Sequence, residues 1–176
     1  MRALVLLLAT VLVLPFAAAE SPQHGACDST GRLVCAGADV GASVQCTASA
    51  TGFASCAWTA GWLTQGSSPL QLPGHESHVV RIDATVCGPS GCVDLRTDGG
   101  SSCSWLPAMS CTDDHAEPPG SATAQLALGQ CLTVHVDMVV DIVASASAGS
   151  VSVATASYHG TGGGAGAACF DDNGRD

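Results

Sequence analysis

The stretch that decides the fold is Val79-Val80-Arg81-Ile82-Asp83-Ala84-Thr85-Val86-Cys87-Gly88-Pro89-Ser90-Gly91-Cys92-Val93-Asp94-Leu95-Arg96-Thr97-Asp98. Val80, Ile82, Ala84 and Val86 share one face of an extended chain, and Val79, Arg81, Asp83 and Thr85 share the other. A period of two is the mark of a half-buried strand. Gly88-Pro89-Ser90-Gly91 then puts Pro second and Gly fourth in a four-residue turn, which is type I chemistry. If Cys87 faces Cys92, Val86 meets Val93, Ala84 meets Leu95, Asp83 meets Arg96 and Arg81 meets Asp98. Apolar residues gather on one face and both opposite-charge pairs on the other. A slip of one residue would exchange the faces, so the register supports itself.

The same reading extends outward. From Cys131 to Ala144, Leu132, Val134, Val136, Met138, Val140 and Ile142 alternate with Thr133, His135, Asp137, Val139 and Asp141, a long strand with one buried face. Ala144 to Ser150, small residues with Gly149, reads as a turn, and Val151 to Tyr158 as the returning strand with Val151 and Val153 inward. Ser43 to Thr59 reads as a hairpin about Ala50-Thr51-Gly52, with Gly in the left-handed position. There Cys46 faces Cys56 and Val44 faces Trp58, and Val44, Cys46, Ala48, Ala54, Cys56 and Trp58 form one apolar face. Thr112 to Ala124 reads as a polar connection, and Gly160 to Asp176 as a Gly-rich mobile tail tied down near Cys169. No helical periodicity runs over ten residues beyond the N-terminal segment. The fold class expected is all-β, a disulfide-stapled antiparallel β-sandwich.

Ten cysteines allow about 945 pairings. Cys27 and Cys35, like Cys103 and Cys111, each enclose a short loop, and Cys169 can tie the tail to Cys131. The nearest-neighbour framework is 27–35, 46–56, 87–92, 103–111 and 131–169. An internal echo, Ser55-Cys56-Ala57-Trp58 and Ser102-Cys103-Ser104-Trp105, offers Cys92–Cys103 as a competitor. Cys46, Trp58 and a later Cys103 or Cys111 also loosely resemble the Cys…Trp…Cys spacing of immunoglobulin-like domains, which implies a β-sandwich. No Tyr precedes either candidate second cysteine.

Met1-Arg2, the apolar run Ala3 to Leu14, Pro15 and Ala17-Ala18-Ala19 have the layout of a secretory signal peptide cut after Ala19. The organisation expected is residues 1–19 leader, 20–159 one sandwich domain and 160–176 tail. Ten cysteines agree with an oxidising, extracellular compartment. The 176-residue chain carries 15 acidic and 5 basic residues, a net charge of −10. Such a chain lacks the positive face that neutralises phosphates, so nucleic acid is not an expected partner. Membrane insertion after leader removal is not expected either. Leu, Ile, Val and Phe make up only about 17% of the residues after the leader, low for a packed core. Cross-links worth about 2–4 kcal/mol each are expected to supply much of the stability.

Chemistry is sparse. His75-Glu76-Ser77-His78 lacks the zinc-protease spacing, which needs two His four apart on a helix, and reads as a polar loop before a strand. His135 and Asp137 point the same way on one strand and are the weak metal candidates. Asp141 lies about 13 Å further along at ~3.3 Å per residue, and His75, His78, His115 or His159 could complete a site only through folding. Asp113, Asp114, Glu117 and Asp171-Asp172 are acidic but do not follow a Ca²⁺-loop pattern. No Gly-x-Ser-x-Gly elbow, phosphate loop or dinucleotide fingerprint occurs. The expected function is therefore a secreted, non-catalytic protein without cofactor, serving extracellular binding or surface structure, its partner an unidentified extracellular protein or glycan. Two alternatives stand beside it. One is an inhibitor or ligand-type protein using the clamped Gly88–Gly91 loop; the other is a metal-dependent hydrolase using His135 and Asp137.

Overall fold

A computed structural model describes residues 24–106 and 110–171. The leader and Asp172 lie outside the described residues. Among the described residues nine strands follow in chain order: β1 (Gly25–Cys27), β2 (Cys35–Ala48), β3 (Phe53–Ser67), β4 (Gly74–Gly88), β5 (Gly91–Trp105), β6 (Cys111–Ala116), β7 (Gly120–Gln125), β8 (Cys131–Ala148) and β9 (Val151–Cys169). They build two antiparallel sheets. One has the order β1-β2-β3-β6, with β7 also paired to β3, and the other the order β5-β4-β8-β9. The protein is an all-β sandwich stapled by five disulfides.

The three hairpins have the registers their side-chain alternation requires. In β4–β5, Cys87 faces Cys92, Ala84 faces Leu95 and Asp83 faces Arg96. In β2–β3, Cys46 faces Cys56 and Val44 faces Trp58, with Gly52 at φ 79° in the connecting loop. β8 contributes the centre of the core: Leu132, Val134, Val136, Met138, Val140, Ile142, Ala144 and Ala146 are each no more than 2% exposed. Burying aliphatic side chains of this size is worth about 1.5–3 kcal/mol each. Trp62 and Ala60 of the first sheet and Val80 and Ile82 of β4 pack on the same layer.

The bridges are 27–35, 46–56, 87–92, 103–111 and 131–169. Cys92 and Cys103 are not joined. Four bridges lie within a sheet; Cys103–Cys111 alone crosses from β5 in one sheet to β6 in the other. Cys46 and Cys56 sit on adjacent strands of one sheet, so the bridge between sheets that marks immunoglobulin domains is not built from Cys46, and that likeness ends at the sandwich architecture.

Four sequence expectations are corrected. Residues 160–169 are not a mobile tail: β9 runs on to Cys169, paired with β8 throughout. Thr112 to Ala124 contains β6 and β7 rather than a bare connection. The strands around Gly149 extend to Ala148 and from Val151, so the turn is shorter than expected. Val151 and Val153 are exposed, and Ala154 and Ala156 turn inward instead. For Val153 the cause is a bulge: Ala146 pairs with Ala154 but Ser147 with Ser152, which leaves Val153 as the extra residue, whereas Val151 pairs with Ala148 at the exposed end of the hairpin. One inserted residue reverses the faces beyond it.

The glycines of β9 have a packing reason. A Cβ at Gly162 would lie 2.6 Å from the Val40 carbonyl oxygen, and one at Gly164 would lie 2.7 Å from that of Ala42. β9 thus lies directly on the backbone of β2, running in the same direction, and only a strand without side chains on that face can approach so closely.

Candidate functional site

Three places gather chemistry or exposed apolar surface. The first is the flank formed by β5. This strand is hydrogen-bonded to β4 on one side only. Every residue from Gly91 to Ser104 is exposed, and only Trp105 is buried. The alternation puts Val93, Leu95 and Thr97 on the same face as the half-buried Val86 and the buried Ala84 and Ile82. The opposite sheet does not reach them: Val93 is 60% exposed and Leu95 48%. Between Leu95, Ile82 and Ala84 on one side and Trp58, Glu117 and Pro118 on the other lies a cleft of about 360 Å³. On the outer face Arg96 Nε donates to Asp98 at 3.0 Å, and Arg81 turns to Asp83 at 3.4 Å. Arg96 and Asp83, opposed across the strands, stand 4.0 Å apart. Such exposed pairs hold side chains in place but add little stability.

The second place is interior. Glu76 and His78, expected in a polar loop, lie on β4 and point inward, 1% and 3% exposed. His78 Nδ1 donates to Glu76 Oε1 at 2.9 Å, with Thr64 Oγ1 of β3 at 3.3 Å. Asp113 Oδ2 of β6 lies 3.1 Å from Nε2, within charge contact but without hydrogen-bond geometry. The hydrogen bond that His78 donates to Glu76 raises its pKa above the ordinary imidazole value. Burial opposes this, and the charges of Glu76 and Asp113 reinforce it. The trio of Glu76, His78 and Asp113 therefore ties β4 of one sheet to β6 of the other, and Thr64 adds the contact to β3. Glu76 also approaches Cys103 and Cys111, but those two sulfurs are bonded to each other and are not thiolate ligands.

The third place lies at the β2–β9 seam. A cavity of about 440 Å³ is lined by His24, Asp39, Tyr158 and His159 among others. His24 contacts Asp39 at 2.9 Å, and His159 contacts Asp141 at 2.6 Å. His135 and Asp137, the metal candidates, stand 3.2 Å apart on the exposed face of β8. Asp141 is engaged by His159 rather than by this pair. His115 contacts Glu117 at 3.6 Å, and His75 contacts Ser104. Each of these histidines thus has its own local partner. Among the described residues, the side chains of His135 and Asp137 have no third ligand gathered with them.

Asp113 and Glu117, two of the acidic residues between Cys111 and Ala124, face histidines, while Asp114 sits across the ladder from Leu63. The polar trio escaped sequence reading because Pro73-Gly74 suggests a loop. The retrievable signal was parity, since Glu76 and His78 share the phase of Val80 and Ile82. The uncovered state of Val93 and Leu95 had no sequence signal, because it depends on where the other sheet ends. No family model matches this chain, and searches of curated proteins and of solved structures found no match.

Proposed function

We propose that this chain is a secreted, non-catalytic protein that binds an extracellular partner through the β5 flank. The observation that carries the reading is the exposure of Val93 and Leu95 on the inward-facing side of a sheet, beside a cleft floored by Trp58 and Ile82. An apolar surface on the core side of a sandwich, left uncovered by the opposite sheet, is a place for another molecule. Five disulfides in a small domain are typical of extracellular proteins, and the signal-peptide layout of the first nineteen residues supports export.

The test uses tagged chain recovered from culture medium with its bridges intact. Wild type and Leu95→Asp are exposed to the extracellular fraction of the producing cells, and bound species are compared. The reading expects at least one species, which can be the chain itself, retained by wild type and lost with Leu95→Asp. Identical recovery by both, or retention of the chain inside the cell, overturns it.

A further inference from the structure

We infer that the partner of the β5 flank is a second copy of this chain, joined edge to edge through β5 about a two-fold axis at Leu95. The inference rests on the proposed role of that flank and adds the identity of the partner.

The free edge has a fixed parity. Cys87 and Cys92 face each other with Cα atoms 4.0 Å apart, the close spacing of a pair that does not exchange backbone hydrogen bonds. Register is unbroken along β4–β5, so Cys92, Asp94, Arg96 and Asp98 aim their N–H and C=O groups away from β4. Val93, Leu95 and Thr97 spend theirs on it. An incoming antiparallel strand must offer residues of the matching parity. For a second β5 this restricts the axis to passing beside a residue rather than between two.

Charge then selects the residue. An axis at Asp94, Arg96 or Asp98 sets that side chain against its own copy, and like charges directly opposed are unfavourable. An axis at Leu95 sets Asp94 opposite Arg96 twice, Leu95 opposite Leu95, and Val93 opposite Thr97 twice. The pairs Asp94–Arg96 and Cys92–Asp98 exchange hydrogen bonds, each made twice by symmetry. An axis at Thr97 also gives opposite charges, Arg96 with Asp98, but it places Leu95 against Gly99 and Val93 against Ser101. An axis at Val93 opposes no like charges but makes no charge pair and leaves Leu95 against Gly91, so of the axes free of like-charge pairs only that at Leu95 joins two opposite-charge pairs to an apolar pair on the inner face. The product is one continuous sheet, β9-β8-β4-β5 followed by the same strands of the copy in reverse order. This is an isologous contact of strand-addition type. Between Cys92 and Asp98 β5 carries no proline, bulge or inward charge to block pairing, and its outward charges, Asp94 and Arg96, are complementary in this register.

The experiment is sedimentation equilibrium of the intact exported chain across micromolar to millimolar concentration. Wild type, Asp94→Arg, Arg96→Asp, the double swap and Asp98→Asn are compared, with circular dichroism confirming that each is folded. Wild type is expected to form a dimer. Each single reversal is expected to weaken it about tenfold or more, because it puts like charges together twice. The double swap restores it, and Asp98→Asn leaves it within about twofold. Hydrogen exchange of the Asp94 and Arg96 amides should slow as concentration rises. A wild type that stays monomeric, or a dimer indifferent to the reversals, overturns the inference. In either case, capture of a different protein lost with Leu95→Asp leaves the proposed function standing. A monomer with no Leu95-dependent capture ends both.

Discussion

The two edges of the β5-β4-β8-β9 sheet are made by opposite means. At one edge β9 presents glycines inward and lies so close to β2 that a Cβ at Gly162 would be 2.6 Å from a carbonyl oxygen. At the other edge β5 presents Val93 and Leu95 inward and meets almost nothing. The apolar strand is the one left in solvent and the nearly side-chain-free strand is the one packed. Contact here is decided by how close two backbones can come, not by how hydrophobic the strand is. The closed edge is held by shape and by Cys131–Cys169. The open flank is held by the short Cys87–Cys92 link, the crossing Cys103–Cys111 bridge and the buried His78 trio.

The largest single loss should come from removing the terminal bridge at an edge. Cys131 and Cys169 are 38 apart in sequence, Cys87 and Cys92 only 5. Loop-closure entropy predicts a loss of about 4 kcal/mol for the double Ser variant of the first pair and about 2 kcal/mol for the second. Denaturant unfolding of both variants measures the difference, and equal losses would mean that the closed edge is held by packing alone. Next comes one substitution made at both edges. Gly162→Val must push β9 off the β2 backbone and should cost about 3 kcal/mol. Gly99→Val, on the inward face of β5 where an added Cβ meets nothing within 4 Å, should leave stability unchanged or slightly raised, since Val favours strands. Thermal melts should separate the two by about 6–12 °C. Coincident melts would deny that the glycines set the seam.

These contrasts also mark how far the sequence could be read. The β4–β5 and β2–β3 registers were legible because alternation, turn residues and facing cysteines are local and agree. β8 was legible for the same reason. β9 beyond Tyr158 was not, because Gly160 to Ala168 has no apolar period, and its reason for being a strand lies in β2, more than a hundred residues earlier. Val153 misled because the bulge at Ala146/Ser147 leaves no mark in the alternation, and Val151 because the hairpin end where it meets Ala148 is exposed. Glu76 and His78 were hidden by their polarity, since period-two reading treats a polar residue on the inward phase as the end of a strand. Their partners, the buried Thr64 and the half-exposed Asp113, come from strands that composition does not bring together.

The smallest effect tests the clamp of the open flank through pH. The His78 pKa is raised in the folded chain, chiefly by its hydrogen bond to Glu76. A raised pKa means that the folded state holds the proton more tightly than the unfolded state does. The resulting stabilisation is fully present below the unfolded value near 6.5 and is lost as pH climbs through the higher folded value. One proton limits the slope to about 1.4 kcal/mol per pH unit. Stability should therefore decline as pH rises above about 6.5, and His78→Gln should abolish that slope whatever its own stability. Amide exchange should locate the loss. Raising pH loosens β4 and β6, where Glu76, His78 and Asp113 meet, beyond the intrinsic pH dependence seen in His78→Gln. The β2–β9 seam follows only the intrinsic trend, because no histidine is buried there. An excess at the seam equal to that at β6 would mean that the two edges are not separately held, and that the sandwich opens as one unit.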